Sequence, residues 1–261
     1  MKKLLSLLVI LLSVITLTAC GSDETDSLDW QASLLKKDTI IVGVSPDYPP
    51  FESIDTKTQE IVGYDVDMIN ALVDIINEKY ATNLKVELKS LEFSTIVGAI
   101  QANQIDLGVS GFTYDPDRDC LFSTPYLTSK QVIITRKDTN IKSAADLVSK
   151  KVGVQLGSTG AKAVKEIEGV DAKELGEYTV MFQTLKAGQL DAIVCDEAVG
   201  DNYVEEMGLY KCEEALVDES MSVIANKSRT ALMDIINEAI DTYTASSKAD
   251  ELKAKWELVS E

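Results

Sequence analysis

The sequence predicts an α/β protein built as two similar lobes that face each other. Short apolar runs with period-2 alternation recur between helical stretches of about 10 to 15 residues, which is the rhythm of crossover units on a mostly parallel sheet. Two local patterns also occur twice. Val42-Gly43-Val44 returns as Val152-Gly153-Val154, and Ala102-x-Gln104-Ile105-Asp106 returns as Ala187-x-Gln189-Leu190-Asp191. Each half therefore offers a strand and loop near its start and a helix, strand and loop near its end. Neither echo is long enough to prove duplication by itself.

The first stretch of chain speaks to the compartment. Lys2 and Lys3 precede an uncharged, mostly apolar run from Leu4 to about Leu17, closed by Leu17-Thr18-Ala19-Cys20. This resembles a bacterial lipoprotein signal, with residues 1–19 removed, Cys20 lipidated as the first mature residue and residues 20–37 a polar tether. An ordinary secretory signal or a membrane anchor is the alternative, and the run is shorter than the about 20 residues that a span needs. About 225 residues remain for folding, enough for two modest lobes.

Composition removes several classes of function. The formal charge of −18 repels phosphate backbones, and no basic cluster with interleaved aromatics relieves it, so nucleic acid is not an expected partner. Histidine is absent, which excludes Ser-His-Asp and Cys-His catalysis and imidazole metal sites. Gly157-Ser158-Thr159-Gly160 is too short for a phosphate loop and lacks its lysine. Beyond Cys20, the cysteines Cys120, Cys195 and Cys212 show no metal-like spacing; a Cys195–Cys212 bridge is conceivable, and all three read as structural. No metal and no cofactor is expected.

Taken in order, Thr39 to Ser45 reads as a strand, followed by a loop punctuated by Pro46, Pro49 and Pro50 and carrying Asp47, Tyr48, Phe51 and Glu52. Met68, Leu72, Ile75 and Ile76 fall at helical spacing, with Asp65 as the expected N-cap. Leu84 to Leu88 reads as a strand, Phe93 to Gln101 as a helix and Ile105 to Val109 as the next strand. Val132 to Thr135 lies in an extended run able to cross between lobes. Lys151 to Val154 opens a fresh strand, ahead of a helix over Ala161 to Glu168. Met221 to Ala225 gives a last strand and Ala231 to Val259 two amphipathic helices.

The stretch IDLGVSGFTYDPDR, Ile105 to Arg118, concentrates the binding chemistry. A strand ending in Ser110, Gly111 and Thr113 supplies short hydroxyl and amide donors, and Arg118 supplies a fixed cation that grips a carboxylate bidentately. Ser158 and Thr159 form a second donor set at a helix start. Asp196 is either an N-cap or an acceptor for an ammonium group. Tyr48, Phe51, Phe93 and Phe112 are the aromatics nearest these loops, each more often core than ligand wall.

These residues resemble the extracellular solute-binding proteins of ATP-driven amino-acid importers, of the polar amino-acid type, with a periplasmic-binding-protein type II fold. The resemblance runs from Thr39 to about Trp256 through VGVSPDYPPFE, GYDVDMINAL, FSTIVGAIQANQIDLGVSGFTYDPDR, FSTPY, KVGVQLGSTG and AGQLDAIVCDEA. It implies two three-layer lobes, residues 38–130 plus 218–261 and residues 131–217, joined by a two-segment hinge and closing over one amino acid. By the same resemblance Ser110, Gly111, Thr113 and Arg118 bind the α-carboxylate, assisted by Thr159. Asp196 binds the α-amino group, and Tyr48 with Phe93 or Phe112 encloses the side chain. The implied partners are a free amino acid, the membrane subunits of a permease and the membrane itself through the lipid anchor, with the protein acting as a monomer. Members that select basic amino acids carry an aspartate where this chain has Ser45. Glu52, Asp47 and Glu197 are the acids that would replace it, which leaves arginine or lysine and a neutral ligand such as glutamine or cystine open. A rival on the same fold, similar to cyclohexadienyl or arogenate dehydratase, would need Glu52 or Glu197 as an acid; an amino-acid sensor without transport is a third reading.

Overall fold

A computed structural model describes residues 37–258. The leader, Cys20 and all but the last residue of the tether lie outside the described residues. The chain opens with β1 (Thr39–Val44), β2 (Asp47–Tyr48), β3 (Glu52–Ile54) and β4 (Ile61–Val62), then α1 (Tyr64–Tyr80), β5 (Lys85–Ser90), α2 (Phe93–Gln101) and β6 (Leu107–Thr113). After β7 (Leu121–Phe122) and β8 (Leu127–Thr135), a short 3-10 turn leads to β9 (Lys151–Gln155), α3 (Thr159–Lys165), β10 (Asp171–Leu175), α4 (Tyr178–Lys186) and β11 (Ala192–Asp196). The rest is α5 (Glu197–Met207), the long β12 (Tyr210–Ala225), α6 (Thr230–Thr244) and α7 (Ser247–Lys255).

This is the mixed α/β fold that the alternation of strands and helices predicts. One large sheet runs β10-β9-β11-β8-β12-β6-β1-β5, with β7 alongside β12. Its two ends are parallel triplets: β5, β1 and β6 at one end, β10, β9 and β11 at the other. The two strands between them, β8 and β12, pair antiparallel with each other and with β11 and β6 respectively. Two separate stretches of chain thus run from one parallel triplet to the other.

The sequence echoes coincide with equivalent local structure. Asp106 accepts the Ile41 amide through Oδ2 at 3.0 Å while its own amide donates to Ile41 O at 2.8 Å. Asp191 makes the same exchange with Lys151, at 2.8 and 2.9 Å. In each half the glycine of the Val-Gly-Val strand lets a large side chain cross it: a Cβ on Gly43 would lie 2.6 Å from Ile105 Cδ1, and one on Gly153 2.7 Å from Leu190 Cδ1. The aspartate ties the incoming strand to the first strand of its triplet, and the residue before it fills the space over that strand.

Several boundaries differ from the sequence reading: the last strand, expected over Met221 to Ala225, begins at Tyr210, and the strand expected over Leu84 to Leu88 spans Lys85 to Ser90. The strand expected to stop at Val109 continues to Thr113, because β12 supplies it with a partner, and the pairing slips between Gly108 and Phe112. Asp65 is not the N-cap of α1; Gly63 holds that place, and Asp65 sits fully buried in the first turn. The helix predicted over Ala161 to Glu168 spans Thr159 to Lys165 instead, starting where the Ser158 hydroxyl accepts the Ala161 amide at 3.0 Å. Cys120, Cys195 and Cys212 are all buried and form no disulfide. Among the described residues no helix is long and apolar enough to cross a membrane, and no group of acids and cysteines could hold a metal ion.

Gly63 fixes the approach of α1 to β3. At its φ of 152° an added Cβ would stand 1.9 Å from Phe51 O and 2.8 Å from Glu52 Cα, contacts that only movement of the backbone relieves. Gly63→Ala should lower the urea-unfolding free energy by on the order of 3 kcal/mol. Gly98→Ala, on the exposed side of α2 with nothing near the new methyl, should instead raise it by about 0.5 to 1 kcal/mol.

Candidate functional site

Arg118 is anchored from two directions. Its Nη1 donates to Thr113 O and its Nη2 to Gly157 O, both at 2.9 Å. One guanidinium therefore ties the end of β6 to the loop after β9. The rings of Phe93 and Phe112 stack on each other at 4.7 Å, and the guanidinium carbon lies 5.5 and 5.2 Å from their centroids. The side chain is 9% exposed, and Asp115 Oδ2 approaches its Nε only to 3.9 Å. Arg118 is thus a buried cation facing aromatic rings, not a solvated surface charge. A cavity of about 290 Å³ opens beside it, lined by Phe93, Phe112, Asp117, Arg118 and Gly157 among others.

The acidic pole lies across the crossing strands. Asp196 ends β11 and stands at the N-cap position of α5, but its side chain makes no capping hydrogen bond. It accepts Ser129 Oγ at 2.7 Å and Gln131 Nε2 at 3.0 Å. Gln131 Nε2 also donates to Glu219 Oε2 at 2.8 Å, and Thr113 Oγ1 donates to the same oxygen at 3.2 Å. A continuous polar chain therefore runs from Asp196 through β8 and β12 to Thr113, whose carbonyl holds Arg118. Burial raises the Asp196 pKa to about 6, helped by the charge of Glu219 and opposed by the hydroxyls of Ser129 and Tyr48 and the Gln131 amide.

A third group gathers around Ser110. The glycine after it, Gly111, takes φ of 58°, and a Cβ there would meet the Tyr48 hydroxyl at 2.6 Å. Tyr48 stacks on Phe51 at 5.0 Å and tilts against Tyr178 at 5.6 Å, apart from the Phe93–Phe112 pair. Ser110 Oγ donates to Glu52, which is fully buried. Asp65 accepts the Tyr126 hydroxyl at 2.9 Å. Burial raises Glu52 well above the usual carboxylate range and Asp65 to about 7, each further raised by neighbouring acid charge.

Further contacts join the two ends of the sheet. Ser45 Oγ donates to Asp47 Oδ1 at 2.8 Å, and Asp47 Oδ2 accepts the Tyr178 amide at 2.7 Å. Asp47 thereby supplies the start of α4 with the acceptor that its own N-cap, Glu177, does not provide. Lys162 on α3 reaches Asp115 and Asp117, both at 2.7 Å.

The structure thus separates the sequence candidates into three groups. Phe93, Phe112, Thr113 and Arg118 form one cluster, Asp196 stands at the far end of a hydrogen-bonded chain from it, and Tyr48, Glu52, Ser110 and Gly111 form the third. Ser45 belongs to the Asp47 contact. The Ser158 hydroxyl is occupied as a helix cap, and Thr159 begins α3. Glu197 is paired with Lys130 at 3.1 Å and Lys211 at 2.9 Å, which holds its pKa down; a carboxyl kept ionised is a poor general acid. Gln131 and Glu219 escaped the sequence reading. Their only trace is a polar side chain interrupting β-rich runs, which looks the same in any half-exposed strand.

A parallel triplet at each end of a sheet, with two antiparallel strands between them and buried charges where the ends meet, is the architecture of a type II periplasmic binding protein. The chain matches the family model of bacterial extracellular solute-binding proteins, family 3, over residues 40–259, and belongs to that family. It is 31% identical to the arginine-binding extracellular protein ArtP of Bacillus subtilis (strain 168), over 98% of each chain. It is 29% identical to a probable histidine-binding protein of Neisseria gonorrhoeae, over 94% of this chain and 91% of that one. An ancestral arginine-binding protein, solved with arginine and with glutamine, superimposes with a TM-score of 0.78 at 33% identity, over 84% of this chain and 98% of its own.

The raised Asp65 pKa makes a signed prediction. An acid titrating near 7 in the fold and at 3.8 when unfolded contributes stability below about pH 4 that is lost as the pH rises through about 7. Thermal unfolding from about pH 4 to 8 should show the wild type losing stability relative to Asp65→Asn across that window. A pH-independent difference would contradict it.

Proposed function

We propose that this protein is the extracytoplasmic receptor of an ATP-driven importer, binding a free L-amino acid and delivering it to the permease. The observation that carries the reading is the pairing of opposite buried charges. Arg118 is fixed as a cation at the junction of β6 and the loop after β9, and Asp196 stands at the end of β11, linked to it by Gln131, Glu219 and Thr113. A zwitterion has a carboxylate for the first and an ammonium for the second. Family membership and relatives described as arginine- and histidine-binding support the same ligand class.

In this reading residues 38–130 with 218–261 form one lobe and 131–217 the other, with β8 and β12 as hinge strands. The contacts of Arg118 with Gly157, Asp47 with Tyr178, and Lys162 with Asp115 would then hold the lobes together over the ligand. Gly111, Thr113 and Arg118, with Ser158 and Thr159 opposite, take the carboxylate end, while Ser110, which the resemblance puts there too, has its hydroxyl engaged by Glu52. Tyr48, Phe93 and Phe112 wall the side chain, while Ser45 and Glu52 lie toward its far end. Cys20 anchors the chain to the membrane outside the cytoplasm through its lipid.

A thermal-shift screen of the twenty amino acids with ornithine and cystine should find ligands that raise the melting temperature. Calorimetry on Arg118→Ala should show a loss of about 2 to 5 kcal/mol in binding, because a buried carboxylate loses its partner. Unchanged affinity would refute the carboxylate role. Deleting the protein should abolish uptake of the labelled ligand; intact uptake would favour a sensor.

A further inference from the structure

Glu52 and Asp65 are two carboxyl groups at 0% exposure, held against each other by the close approach of β3 and α1 at Gly63. The Tyr64 and Asp65 amides donate to Pro50 O and Phe51 O, both at 3.0 Å, which draws the first turn of α1 onto the loop that carries Glu52. Each carboxyl has one satisfied oxygen: Ser110 Oγ donates to Glu52 Oε1, and the Tyr126 hydroxyl donates to Asp65 Oδ2. The other two, Glu52 Oε2 and Asp65 Oδ1, are buried without a hydrogen-bond donor. The buried Tyr48 hydroxyl lies against Gly111 beside Ser110 and within the influence of Asp196.

Two adjacent buried carboxylates cannot both stay ionised without a cation. The groups that face them are Ser110 and Gly111 from β6, Tyr126 at the start of β8, Asp47 and Tyr48 from β2, Tyr64 from α1, Tyr243 from α6 and Asp196 from β11. All are neutral or acidic. A single proton shared between the two free oxygens serves both at once, and the raised pKa values of both acids agree with that arrangement.

We propose that this carboxyl pair is an exchange site that holds one proton and yields it to the cationic end of a basic amino-acid side chain, an inference that rests on the amino-acid-binding reading above. Ser110, to which the pair is joined, lies three residues along β6 from Thr113, at most about 10 Å of strand, since the irregularity at Gly111 shortens it. That is on the order of the reach from an amino acid's α-carboxylate, placed at Arg118, to the end of an extended arginine or lysine side chain. On binding, one carboxyl O–H bond breaks and its proton leaves to solvent. The ligand's cation takes its place between two ionised carboxylates, so the charge of the pocket does not change. A neutral side chain offers no such replacement and leaves the proton where it is.

Calorimetry of the full chain with L-arginine at about pH 6.5, in two buffers of different ionisation enthalpy, should give about one proton released per arginine bound, with affinity rising up to about tenfold per pH unit below the titration of the pair. L-citrulline, uncharged at its far end, should release none. Glu52→Gln and Asp65→Asn should each abolish the release. Should neither variant fold, infrared difference spectra of the wild type should lose a protonated-carboxyl band when arginine is added. Arginine bound with no proton released, or with that band unchanged, overturns the exchange. Binding of citrulline or glutamine without arginine overturns the cationic ligand class and leaves the amino-acid receptor standing. No binding by any amino acid overturns both.

Discussion

The site depends on the double anchoring of Arg118. A guanidinium removed from water is tolerable only when its donors are met, and here two backbone carbonyls from different ends of the sheet meet them while aromatic rings lie beside it. Because backbone oxygens cannot swing away as side chains do, the guanidinium is fixed between Thr113 and Gly157 in this arrangement of the two halves. The neighbouring acids are largely engaged elsewhere: Asp115 and Asp117 by Lys162, and Asp119 by Lys227. Among the described residues the nearest carboxylate to the guanidinium is Asp115 at 3.9 Å, which fits the proposed role of Arg118 as a receptor for an external one.

The fold explains why such groups meet where they do. Each parallel triplet ends in a loop or helix start, and in open parallel sheets ligands gather beyond the carboxyl ends of the strands. Two triplets joined through antiparallel strands turn those ends toward a shared crevice. The connecting strands also take part, since Ser129 and Gln131 on β8 and Glu219 on β12 carry the hydrogen bonds between the acidic and basic poles. A change of angle between the ends of the sheet would strain that chain directly, which couples the geometry of the site to the relative position of the halves.

Much of the fold was legible in the sequence, because hydrophobic periodicity and the two echoes report local structure. Phe93 to Gln101 was read with its observed bounds, and the glycines and aspartates of the echoes proved to make equivalent contacts. Strand ends were less legible. Ser110 to Thr113 lengthens β6 because β12, more than a hundred residues later, pairs with it, and local pattern carries no record of that partner. The site was legible where a residue's chemistry is unusual for its setting, as with an arginine after a strand of small hydroxyl residues. It was not legible where burial creates the chemistry. Asp65 looks like a helix cap in sequence, and only its burial beside Glu52 makes it a proton-binding group.

The central claim is that both ends of a zwitterion are recognised at once, the carboxylate by Arg118 and the ammonium by Asp196. Competition calorimetry against the tightest-binding L-amino acid tests this with two analogues of that ligand, its decarboxylated amine and its Nα-acetyl derivative. Both keep the side chain, and each lacks one of the two charged groups. The account predicts that neither analogue displaces the ligand at concentrations where the free amino acid does. Displacement by either one with undiminished affinity would contradict it.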